Sequence, residues 1–202
     1  MEYLLHLIKV TGYFGYAIVF LIIFFESFPV TFFLPGDSLL FTTGFLASQG
    51  YFDPTLLFGV LFFASFSGYI FSYAMGKKLR DFILRSNDKY WFKKKHLDYT
   101  HDFYQKYGDK TIVIGRFVPI VRSFAPTLAG AVDMNYKKFT KDSLAGAVLW
   151  TGGITSVGFY LGRAFPSTHL YLTPIILAII FVSLLPAIIE FIKKKTKKID
   201  FS

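Results

Sequence analysis

The 202 residues include no cysteine. That absence excludes a disulfide framework, thiolate catalysis and thiolate-bound metal. Charge is also scarce: Asp, Glu, Lys and Arg make up 17% of the chain, against roughly 25% in soluble domains. Acidic residues are the rarer sign, 13 against 22 basic, for a net charge of +9. No HExxH, Walker A, GxGxxG or GxSxG pattern occurs. His96 and His101 are five residues apart, the wrong step for one helical face, and no third ligand stands near, so no metal is expected. Ser38, Ser123 and Ser143 have no neighbouring histidine to activate them, which leaves nucleophilic catalysis unsupported. No cofactor is expected, and the chain does not read as an enzyme. The start, MEYLLHLIKV, lacks a basic n-region and a small-residue cleavage site, so no cleaved signal peptide is expected.

What the chain does have is apolar bulk. It is 53% hydrophobic with 26 Phe, and its mean hydropathy is +0.47. Three segments are long enough to cross a bilayer. Thr55 to Gly76 is nearly uncharged and, as a helix, reaches about 33 Å. Ser143 to Gly162 and Leu170 to Ile192 are the others, the last with Pro174 and Pro186 as expected kinks. The expected architecture is an all-α polytopic membrane protein, one membrane domain over residues 1–202.

Two further apolar stretches are interrupted. The first, 16–49, is broken by Pro29, Pro35 and Gly36; the second, 111–134, by Pro119, Pro126 and Gly130. Irregular backbone at membrane depth is tolerated only inside protein or along a cavity, so both read as re-entrant hairpins. A weak repeat links them. Gly44 and Gly130 are 86 residues apart, as are Gly76-Lys77 and Gly162-Arg163. Repeat 1 is expected over 10–76 and repeat 2 over 111–163. A C-terminal span over 170–192 and a basic tail follow.

Basic residues set the orientation. Ten of the 22 Lys and Arg lie between Lys77 and Lys110, three are Lys137, Lys138 and Lys141, and five lie between Lys193 and Lys198. The positive-inside rule puts the 77–110 loop, a link over 135–142 and the C-terminus in the cytoplasm. One hairpin then enters from each face, which makes an inverted repeat. Because the basic residues border apolar runs, they suit anionic headgroups rather than nucleic acid. Within the 77–110 segment, Phe92, His96, Tyr99, Phe103 and Tyr107 recur at three or four residues beside Lys93, Lys94 and Lys95. That is the pattern of an amphipathic helix on the membrane surface, or equally of one packed on the protein.

Four charges stand inside the hairpins: Glu26, Asp37, Arg116 and Arg122. Each costs about 2.5–3.5 kcal/mol or more at mid-membrane, which makes all four functional candidates. Arg116 and Arg122 are six apart and would not share a helical face, but Pro119 between them breaks the helix and lets both turn inward. A guanidinium grips phosphate in two places. A helix start at Pro126-Thr127 would add to an anion site. Glu26 and Asp37 are candidates for carrying a proton or for balancing the arginines. Asp37 also reads as a helix cap, and Glu26 with one arginine as a purely structural pair.

These residues also carry a resemblance. Glu26 followed by Phe33-Leu34-Pro35-Gly36-Asp37-Ser38-Leu39-Leu40 and Gly44 resembles one signature of the DedA family. Gly115-Arg116-Phe117-Val118-Pro119-Ile120-Val121-Arg122 with Ala125-Pro126 and Ala129-Gly130 resembles the other. Gly146, Trp150 and the Thr100 to Tyr104 lead-in continue it, over roughly residues 10 to 165. The resemblance implies a bacterial inner-membrane protein related to VTT-domain lipid scramblases. It implies movement of undecaprenyl phosphate or phosphatidylethanolamine between leaflets, dependence on the proton motive force in some members, and functional roles for the same four charges. One position departs from the family: an acid common after the glycine that is Gly68 here is replaced by Tyr69. The partners expected are therefore a phospholipid or polyprenyl phosphate and protons, with homo-oligomerisation open. A proton-coupled transporter of small ions or osmolytes, and an assembly factor without transport, stay as alternatives.

Overall fold

The computed structural model describes residues 2–31, 34–80 and 107–164. Among these residues there is helix and no strand. Helix α1 covers Glu2–Glu26, α2 Gly36–Ser48, α3 Pro54–Lys78, α4 Thr111–Ile114, α5 Pro119–Ala131 and α6 Tyr136–Ala164. Short 3-10 turns at Pro29–Thr31, Gly108–Lys110 and Gly115–Phe117 join or precede them.

The ends of α3 follow from local chemistry. The Asp53 carboxylate accepts the Leu56 N–H at 2.8 Å, Pro54 occupies the first turn, and Lys77 and Lys78 stand in the last turn, where the helix dipole favours cations. Helices α3 and α6, of 25 and 29 residues, are long and apolar enough to cross a membrane. Only 39% and 33% of their apolar windows are buried within the chain. A soluble protein would cover such faces; here Phe63, Phe71, Leu149, Val157 and Tyr160 point outward.

Two close seams hold the helices together. On one, α2 lies against α6: a Cβ on Gly44 would overlap the Thr155 carbonyl, and one on Gly158 the Phe41 carbonyl. On the other, α5 lies against α3: Gly130 meets the Tyr73 carbonyl and Gly76 the Thr127 carbonyl. Backbones approach this closely only where one partner has no side chain. Hydrogen bonds pin the second seam. Ser72 and Thr127 hydroxyls are 2.7 Å apart, and the Tyr73 hydroxyl donates to the Met134 carbonyl at 2.5 Å.

Several expectations change. Helix α1 starts well before Tyr16, so the first broken stretch is the end of a long helix, a turn and α2. Pro29 and Pro35 do fall in that turn. In the second stretch the break is at Val118, whose extended backbone precedes Pro119 at the start of α5. Pro126 lies inside α5, so no helix begins at Pro126-Thr127; flanking packing tolerates the lost N–H. The expected link 135–142 is helical from Tyr136. The surface helix over 89–107, apart from Tyr107, and the 170–192 span with its tail lie outside the described residues.

Candidate functional site

The two interrupted stretches bring three of their four charged residues, Glu26, Asp37 and Arg122, into contact. Glu26 is the last residue of α1, and its carboxylate Oε1 accepts the backbone N–H of Gly36, the first residue of α2, at 3.2 Å. A Cβ on Gly36 would overlap that carboxyl group, so glycine is required for the contact. From the other stretch, Ser123 Oγ donates to the Glu26 carbonyl at 3.0 Å. The turn between α1 and α2 is thus tied to the first turns of α5.

Arg122, on α5, completes the join. Its guanidinium pairs with Glu26 and, at 2.8 Å through Nη1, with Asp37 Oδ1. Arg122 and Glu26 are 4% and 1% exposed, whereas the Asp37 side chain is 49% exposed. Trp150 on α6 adds a second donor: its indole N–H reaches Asp37 Oδ1 at 2.8 Å. Its ring also stands 4.7 Å from the Arg122 carbon, in cation–π range. Two carboxylate oxygens are left over. Glu26 Oε2 is buried without a partner, and Asp37 Oδ2 accepts no hydrogen bond among the described residues.

Arg116 sits apart. It is fully buried, its guanidinium carbon is 3.5 Å from the Tyr69 ring centroid, and it donates to Ser65 Oγ and, at 3.3 Å, to the Ser143 carbonyl. No carboxylate lies within 4.0 Å of it among the described residues. Its stem runs against Gly146, where a Cβ would meet Cδ at 2.8 Å and Nε at 2.9 Å. Around it, Tyr69 Oη, Ser143 Oγ and Arg116 Nε are buried without partners among the described residues. A buried arginine without a counter-charge is costly unless dipoles and an aromatic face stand in for it; Tyr69, Ser65 and the Ser143 carbonyl do so here.

The structure therefore gathers Glu26, Asp37 and Arg122, and gives Arg116 a separate niche. Asp37 is not a cap: Pro35 holds the cap position of α2 with no side-chain bond, and the Asp37 carboxylate reaches across to Arg122 and Trp150. Among the shaping residues, Gly36 makes room for Glu26, while Gly44 and Gly130 serve the two seams. Trp150, Ser65, Ser123 and Gly146 escaped the sequence reading as site residues. Trp150 is 113 residues from Asp37, and no local pattern links such positions. Tyr69 was visible only as a departure from the family pattern. Among the described residues no group of three or more His, Cys, Asp or Glu could hold a metal.

Residues 34–160 match the model of the VTT domain. The chain is 40% identical over 196 residues to Protein DedA of Escherichia coli (strain K12), covering 96% of this chain and 89% of that one. An uncharacterized membrane protein of Mycobacterium tuberculosis (strain ATCC 25618 / H37Rv) is 36% identical over 89% of this chain and 81% of its own. Inner membrane protein YqjA of Escherichia coli (strain K12) is 30% identical over 73% and 68% respectively. No solved structure matches the chain.

Proposed function

The chain belongs to the VTT-domain (DedA) family, and from that premise we propose that it moves a phosphate-bearing lipid between the leaflets of a bacterial inner membrane. The observation that carries this reading is the buried Arg122, held by two carboxylates whose remaining oxygens have no partner among the described residues. Glu26 and Asp37 balance Arg122 while the site is empty. A headgroup phosphate replaces them on the guanidinium, since phosphate and carboxylate present the same bidentate geometry. A displaced carboxylate is then free to take up a proton, which gives movement a route to couple to the proton gradient. Arg116, with no carboxylate partner among the described residues, adds positive potential close by.

The architecture we propose is an inverted repeat with two re-entrant elements, α1–α2 and α4–α5, between crossing helices. The exchange of partners supports it. Helix α2 of the first half packs on α6 of the second, and α5 of the second packs on α3 of the first. Gly44 and Gly130, 86 residues apart, each sit on one of these seams, as do Gly76 and Gly162. The name of the YqjA relative supports the inner membrane as location, and the basic residues support a cytoplasmic C-terminus. Lipid tails stay in the bilayer and only the headgroup passes through the protein. The hydroxyls near the arginines, Ser65, Ser123 and Ser143, have no histidine beside them among the described residues to activate them, so transport without bond cleavage is the proposed activity.

The test is reconstitution of the pure chain in liposomes that hold both labelled polyprenyl phosphate or phosphatidylethanolamine and entrapped inorganic phosphate. Lipid exchange that stops in Arg122→Ala and slows in Arg116→Ala is the expected result. Phosphate release with static lipids would assign the site to a free anion instead, and full lipid exchange in both variants would refute the role of the arginines.

A further inference from the structure

The site described above is electrically neutral when empty. Glu26 and Asp37 carry two negative charges; Arg122, paired with both, and Arg116, in its own niche but close enough to interact electrostatically with Arg122 and Glu26, carry two positive ones, and α3 adds no charged side chain to the group. Resting on the reading that the site carries lipid headgroups, we propose that the charge of the headgroup sets its proton requirement. A headgroup of net zero charge enters alone. An anionic headgroup enters with one proton for each negative charge.

The reason is the cost of unbalanced charge in a low-dielectric interior. Arg122 is 4% exposed and Glu26 1%. When a phosphate takes over the Arg122 N–H groups, a carboxylate loses its partner and the site gains a negative charge. One proton from water restores neutrality by forming an O–H bond on that carboxylate. The atoms able to take it are Asp37 Oδ2, on a side chain 49% exposed, and Glu26 Oε2, which has no partner among the described residues. Among the described residues the groups facing Asp37 are Glu26 of α1, Arg122 of α5 and the Trp150 N–H of α6; Tyr69 of α3 lies on Arg116. None of them supplies a spare positive charge. A zwitterionic headgroup needs no proton, because its own ammonium donates to the carboxylate that its phosphate has displaced.

The experiment uses the full chain in liposomes with two probes sharing one acyl label, a phosphatidylethanolamine and a phosphatidate. Leaflet distribution is read by chemical quenching, with and without a gradient of one pH unit, against protein-free vesicles. The phosphatidate distribution is expected to shift towards the alkaline leaflet by up to about tenfold per coupled proton, and the phosphatidylethanolamine distribution to stay level. Glu26→Gln and Asp37→Asn are expected to reduce the phosphatidate shift. Equal responses of the two probes, or an unaltered shift in both variants, would overturn the inference while leaving lipid transport standing. Immobility of both probes would overturn the transport reading and this inference with it.

Discussion

Removing Arg122 alone should destabilise the protein far more than removing Arg122 together with the two carboxylates it pairs with. In Arg122→Gln, the Glu26 carboxylate stays buried with the Gly36 N–H as its one remaining polar partner from those described. Breaking a buried pair from one side costs about 3–5 kcal/mol, because an uncompensated charge is left behind. For a chain of this size that corresponds to a fall in Tm on the order of 10 °C. In the triple variant Arg122→Gln, Glu26→Gln, Asp37→Asn no buried charge of this group is orphaned. The amide oxygen introduced by Glu26→Gln would still accept the Gly36 N–H, so Tm should recover most of the loss. The coupling energy across the cycle should be on the order of 2–3 kcal/mol. Thermal unfolding of the purified protein in detergent measures it, in the single, double and triple variants. Losses that simply add, with the triple variant the least stable of all, would refute the reasoning.

Other perturbations follow from the same geometry. Gly130→Ala should cost about 1–3 kcal/mol, since its Cβ collides with the Tyr73 carbonyl; Gly59→Ala, with nothing within 4 Å, should be neutral or slightly stabilising, both read as Tm. Tyr69→Phe should be nearly silent because the hydroxyl has no partner, whereas Tyr69→Leu should lose about 0.5–2 kcal/mol of cation–π attraction on Arg116. Trp150→Phe keeps a ring over Arg122 but drops the N–H to Asp37, a loss of about 1.5–3 kcal/mol in unfolding experiments. In the α5–α6 connection, the hydrogen bond from Lys77 holds the Asp133 carboxyl below its usual range. That pair adds stability above the ordinary carboxylate range and loses it as pH falls through the lowered value. Asp133→Asn should therefore flatten the acid side of the Tm–pH curve.

Much of this arrangement was legible in the residues, for physical reasons that can be traced. The α3 span was readable because 22 consecutive residues without a charge have few other fates. The four charges stood out because each is expensive in an apolar stretch. Among the prolines of the described residues, Pro29, Pro35 and Pro119 fall at the breaks they announced, and Pro126 alone misled. Pro119 starts a helix and Pro126 sits inside the same one, and sequence alone does not tell a helix-starting proline from a tolerated internal one. The start of α6 was missed because Lys137, Lys138 and Lys141 read as a link, although cations project freely from the end of a helix. The separation of Arg116 from Arg122 depends on Gly146 admitting the Arg116 stem, a contact across 30 positions that no local pattern announces.

The central claim is that a headgroup phosphate and the two carboxylates compete for Arg122. Trp91 and Trp150 are the only tryptophans, so Trp91→Phe leaves a single indole, bonded to Asp37 and lying on Arg122. Fluorescence of that protein, titrated with a short-chain phosphate lipid, reports the exchange directly. A saturable change in emission is expected, and it should disappear when Arg122→Gln is added. An unchanged emission while lipid exchange proceeds, or the same change without Arg122, would contradict that competition.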